Sequence, residues 1–77
     1  MGAAHPQMKG GPLARLAGQL CQRADFQAFC EADGAEQAAE FVRVFCGVDS
    51  RAEIDHHGGA SERFHDLRRQ FAYRDAA

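Results

Sequence analysis

Apolar residues recur along this chain every three to four positions from Leu13 to Phe71, and that spacing predicts helices. Leu13, Leu16, Ala17, Leu20 and Cys21 fall at i, i+3, i+4, i+7 and i+8, with Arg15, Gln19, Gln22 and Arg23 on the other face. Pro12 suits the first turn, where its missing N–H costs nothing, so a first helix is expected from Pro12 to about Arg23. Asp25 is the expected N-cap of a short second helix whose apolar side is Phe26, Phe29 and Cys30, broken at Asp33-Gly34. Asp33 and Glu36 stand in a capping-box relation and open a third helix. Its expected buried stripe is Ala38, Phe41, Val42, Phe45 and Cys46, and Gly47 is its stop. Ser50 and Glu53 form a second box, predicting a helical turn from about Arg51 to Asp55 with Ile54 as its anchor. Gly58-Gly59 should end that turn. A last helix follows from about Ala60 to Arg74, with Ala60, Phe64, Leu67 and Phe71 in one arc.

No stretch alternates with period two long enough to make a strand. The expected fold class is therefore all-α: a small bundle of three to four short helices plus one short helical turn. Residues 1–11, MGAAHPQMKGG, have no periodicity and read as a disordered tail, with Gly10-Gly11 part of it and Met8 an alternative start. Residues 12–77 then form a single helical domain.

A chain of 77 residues buries only about 60% of the surface its unfolded form exposes. That leaves little room for a deep pocket with a supporting shell, and it makes a homodimer a reasonable expectation. The net charge of −2 is unevenly spread. Residues 1–23 carry Lys9, Arg15 and Arg23 without an acid; residues 24–49 carry six acids against Arg43 alone. No block is basic enough to neutralise phosphates without help from the fold. No apolar run reaches the length of a membrane span and no signal peptide is visible, so a cytoplasmic protein, in a bacterial host cytosol, is expected. Cys21, Cys30 and Cys46 each sit in an apolar helical pattern and read as reduced, buried thiols.

Candidate chemistry centres first on DHHGG, Asp55 to Gly59. An Asp-His-His triplet also marks a phosphoesterase family that binds paired metals, but beside a parallel sheet that this chain lacks. Adjacent His56 and His57 diverge on helix or strand, so three ligands do not converge on a metal. The expectation is a hinge in which Asp55 or His57 accepts from the free N–H groups ahead of Ala60, with no metal and no cofactor. VFCGVDSRAEI has the outline of a helix-turn-helix, yet Arg43 replaces the usual small residue and the second helix is too short. Ser50 and Ser61 are better read as helix starts than as nucleophiles, and no catalytic residue is assigned.

The expected partner-binding surface is the outer face of the last helix: Arg69, Tyr73 and Asp66, flanked by His65 and Arg68. Arg69 and Tyr73 at i, i+4 allow the guanidinium to lie over the ring. The acidic face made by Glu31, Glu36 and Glu40 is an alternative surface. Arg51, Arg63, Arg68 and Arg69 are the candidates for nucleic-acid contact.

The segments LARLAGQLCQRADFQAFC, AAEFVRVFCGVDSRAEID and RFHDLRRQF resemble a family of small phage and prophage proteins from early genes near recombination and replication functions. The resemblance spans Leu13 to about Phe71 and is carried by Leu20-Cys21, Phe26, Ala38-Ala39-Glu40, Cys46-Gly47-Val48, Ser50-Arg51 and Glu53-Ile54-Asp55. It departs at His57-Gly58, where an Asp-Pro helix start would be expected. It implies a phage-derived protein acting in an infected host and brings no catalytic residues with it. The expected function is a non-enzymatic interaction module that modulates a host or phage protein complex, such as a nuclease, recombination or CRISPR defence complex. The alternatives are a nucleic-acid-binding accessory factor and a metal-dependent phosphoesterase.

Overall fold

The computed structural model describes residues 10–74, and most of the expected tail lies outside them. Four α-helices and one 3₁₀ segment follow in order: α1 Pro12–Cys21, α2 Ala24–Phe29, α3 Ala35–Cys46, the 3₁₀ segment Arg51–Asp55, and α4 Gly58–Ala72. The fold is all-α, a small helical bundle. α1 packs on the 3₁₀ segment, α3 and α2, and α4 packs on α3 and the 3₁₀ segment.

Phe26, Phe64, Ile54, Leu67, Val42, Cys21 and Cys46 are the largest fully enclosed side chains, so every element contributes to one core. Burying each of the larger ones is worth about 1.5–3 kcal/mol. At one end Phe71 meets Phe26 edge-on with ring centres 5.0 Å apart, and Phe29 lies 5.4 Å away. This aromatic trio ties the end of α4 to α2.

The core face of α3 is rotated from the expected stripe. Ala38, Ala39, Val42 and Cys46 are buried, whereas Phe41 and Phe45 are only partly buried and stack on each other at 6.1 Å. The small Ala39 takes a place in the core, and the two rings pack at its edge.

The helix ends differ from expectation for identifiable reasons. α2 begins at Ala24 with Arg23 in the N-cap position, so Asp25 lies inside the first turn and binds Arg23. α2 stops at Phe29, before Asp33-Gly34. Ala32 N–H donates to Gln27 O and Glu31 N–H to Ala28 O, a Schellman closure with Glu31 left-handed at φ 57°. α3 closes the same way through Gly47 at φ 73°, where glycine carries no steric penalty. The start of α3 is held by Gln37, whose Oε1 accepts from Asp33 N–H, rather than by Glu36. Ser50 Oγ accepts from Ala52 N–H, and Glu53 reaches Asp49 N–H, one residue earlier than a regular box. Gly58-Gly59 do not break the chain; they form the first turn of α4 after His57 in extended conformation.

Candidate functional site

Asp55 does not cap the helix that follows it. Its carboxylate reaches back across more than forty residues to the start of α1, accepting from Gly11 N–H at 2.7 Å, Leu13 N–H at 3.0 Å and Ala14 N–H at 2.9 Å. Pro12 has no N–H and Arg15 N–H bonds Gly11 O, so the first turn of α1 is satisfied throughout. A negative charge here also faces the positive end of the helix dipole. Partial desolvation pushes the Asp55 carboxyl up, but the bonds from Ala14, Leu13 and Gly11, with His56 nearby, outweigh it and hold the pKa below the ordinary 3.8. Gly10-Gly11 are therefore not simply tail: a Cβ on Gly11 would stand 3.0 Å from Asp55 Cγ.

His56 and His57 are both exposed, and His57 Nε2 lies 3.7 Å from Glu53 Oε1. Among the described residues, no three His, Cys, Asp or Glu side chains converge as metal ligands would. The three cysteines are free and buried. Desolvation raises each thiol pKa, that of Cys30 to about 11 with the nearby Cys21 adding to the effect. Such thiols are poor nucleophiles.

His65, Arg68, Arg69 and Tyr73 come together along an open groove between α1 and the end of α4, with a volume of about 680 Å³. Leu16 and Leu20 of α1 form its apolar floor, and Arg23 and Arg74 complete its rim. Asp66 stands beside the groove, accepting from Arg69 Nη2 at 3.1 Å and Gln70 Nε2 at 3.0 Å. Arg69 therefore turns back along its helix toward Asp66, and the expected stacking on Tyr73 is replaced by a different one. Arg74 lies 4.1 Å over the Phe71 ring, with Arg23 at 5.7 Å. Both guanidiniums also meet Asp25, at 2.7 Å for Arg23 and 3.5 Å for Arg74. Arg68 Nη1 lies 3.4 Å from His65 Nδ1 and has no carboxylate partner among the described residues. Tyr73 is 69% exposed at the end of α4.

The other expected arginines lie elsewhere. Arg63 Nη1 donates to Cys46 O at 3.1 Å and so closes the end of α3. Arg51 lines a separate cleft on the far flank of α1. Glu31, Glu36 and Glu40 are all exposed, with Glu36 and Glu40 one turn apart on α3. Beside them Val44 is 73% exposed, flanked by Phe41, Phe45 and Val48, which are partly buried against the core. The five-residue 3₁₀ segment after α3 is too short to serve as a recognition helix in a DNA groove.

Sequence reasoning missed Leu16, Leu20, Arg23 and Arg74 as groove residues. The first two read as core, and they are half-buried and nearly buried respectively; their outer edges make the floor. No family model, curated protein or solved structure matches the chain. No helix among the described residues is long and apolar enough to cross a membrane.

Proposed function

We propose that this chain is a non-enzymatic helical interaction module that holds an acidic, partly apolar segment of a protein partner in the α1–α4 groove. One observation carries the reading: the groove combines an apolar floor of Leu16 and Leu20 with a rim of Arg23, Arg68, Arg69, Arg74, His65 and Tyr73. An apolar floor supplies burial, and a cationic rim supplies orientation and faster encounter. Tyrosine and arginine are the side chains most often dominant in such contacts. In the setting that the phage resemblance implies, the module would modulate a host or phage protein complex, such as a nuclease, recombination or CRISPR defence complex, by covering one of its faces.

The test is partner capture by the intact chain, followed by cross-linking to locate the contact. The expected result is a partner lost on Tyr73→Ala and on Arg69→Glu, cross-linked near α4 through an acidic segment, with affinity falling as salt rises. A partner retained by both variants, or cross-linked only to α3, overturns the groove assignment.

The nucleic-acid alternative draws less support, since Arg51, Arg63 and the Arg68–Arg69 pair line three separate clefts instead of one footprint. Self-association has a specific feature behind it. Val44 stands exposed on α3 beside the partly buried Phe41 and Phe45, with partly buried Val48 just past the helix end, and a second copy would cover this patch. Sedimentation across a concentration series tests this. A concentration-dependent dimer abolished by Val44→Glu is expected; a monomer at every concentration removes the dimer.

A further inference from the structure

On the flank of α1 away from the groove, Arg15 of α1, Arg43 of α3 and Arg51 of the 3₁₀ segment line one cleft of about 530 Å³, together with Gly18, Asp49 and Ser50. We propose that this cleft is a binding site for a phosphate group, free or carried by a small ligand such as a nucleoside monophosphate.

Three observations carry the assignment. The arginines come from three elements, and Arg15 of α1 lies well apart in sequence from the neighbouring Arg43 and Arg51, so its convergence with them is a product of the fold. Among the described residues none of the three forms an ion pair, although the chain has eleven acids and Asp49 also lines the cleft. Arg43 and Arg51 are half-buried, so their like charges are held together with reduced hydration. That arrangement is unfavourable until an anion enters, and guanidinium forks match phosphate oxygens in pairs.

The site is also shaped. The Arg51 guanidinium lies along α1 at Gly18: a Cβ there would stand 3.8 Å from Cζ and 3.9 and 4.0 Å from the two terminal nitrogens. The fork thus lies one van der Waals contact from this position of α1. Arg51 hydrogen-bonds the buried Cys21 thiol and, with the charge of Arg43, opposes the upward push of desolvation. Ser50 adds a hydroxyl at the edge. No aromatic ring lines the cleft, so nothing in it stacks on a base. The recognised feature is therefore the phosphate.

The experiment is an amide NMR titration of the full chain with inorganic phosphate, with adenosine monophosphate and with adenosine, at matched ionic strength. Phosphate and the monophosphate are expected to shift the Arg15, Gly18, Arg43 and Arg51 amides, and adenosine to leave them in place. If both phosphates act, the group alone suffices; if only the nucleotide acts, the ligand is larger, and either result supports the site. Arg51→Gln should weaken the monophosphate about tenfold. Arg43→Gln is the second variant in case loss of Arg51 disturbs the fold. The assignment is overturned if millimolar phosphate and monophosphate leave these amides unmoved, if chloride reproduces the shifts, or if both variants bind as the parent does. It is also overturned if only an oligonucleotide binds, or if the shifts fall on Arg68 and Tyr73.

Discussion

Asp55 and Asp66 are both half-buried aspartates, and they do opposite work. Asp55 accepts three backbone N–H bonds from the start of a helix more than forty residues away. Asp66 accepts from Arg69 and Gln70, side chains within its own next turn. The first closes a long loop and completes a helix terminus, so it belongs to the fold. The second restrains a cation on an open face, so it belongs to a surface. The same side chain is structural or available according to whether its donors are fixed backbone or mobile side chain.

The largest expected effect follows from removing the first aspartate. Asp55→Ala leaves the N–H groups at the start of α1 without their acceptor and should cost about 2–3 kcal/mol of stability, read by urea unfolding. A loss under about 0.5 kcal/mol, the level of an ordinary surface change, would show that the cap does not hold the fold together. The pH dependence has a definite sign. The folded pKa of Asp55 is depressed, so its contribution is complete above the ordinary value of 3.8 and is lost as pH falls through that value toward the lower folded one. Asp25, depressed by its hydrogen bond to Arg23, titrates in the same direction. Thermal unfolding should therefore decline in acid for the parent, and less steeply for Asp55→Ala.

Gly11→Ala attacks the same junction from the other side. The new methyl would meet Asp55 Cγ at 3.0 Å and Oδ1 at 3.1 Å, and that carboxylate is pinned by its own bonds. The expected cost is about 1–2 kcal/mol, the range of modest overpacking. Additivity with Asp55→Ala would show that the two residues do not share an interaction, whereas the contact requires the double variant to lose less than the sum.

The helices were legible from the sequence because each carries its own apolar period, and Gly47 and Pro12 mark ends by local chemistry. The Asp55 cap was not legible. Its donors lie beyond forty intervening residues, and the nearby start of α4 offered a plausible local partner that the fold does not use. The rotation of α3 was missed for a related reason: Phe41 and Phe45 match the period as well as Ala39 does, and which of them faces inward depends on how closely the neighbours approach. Four of the five expected partner-binding residues line the groove because all five lie close together on α4. The floor from α1 was invisible because the position of one helix against another is not written in either alone.

Glu31 shows a smaller local conflict. It is the one non-glycine residue with positive φ among those described, at 57°, in the position that Gly47 occupies after α3. A left-handed L-residue costs about 1–2 kcal/mol, and glycine's extra freedom in the unfolded chain returns roughly half of that. Glu31→Gly should therefore raise stability by about 0.5–1 kcal/mol in urea unfolding. A destabilised variant would mean that the glutamate side chain makes a contribution larger than its backbone strain.

Asp66→Asn should have the smallest effect on stability, under about 0.5 kcal/mol, because its pair with Arg69 is solvent-exposed and screened. Its effect on binding separates two roles. Removing the carboxylate leaves Arg69 unneutralised and adds one positive charge beside the groove. An acidic partner should then bind a few-fold more tightly at low salt, with the gain vanishing at high salt. If Asp66 instead acts by holding the guanidinium in place, the variant binds more weakly by a similar factor at every salt concentration. The salt series thus tells whether this second aspartate tempers the groove's charge or sets its shape.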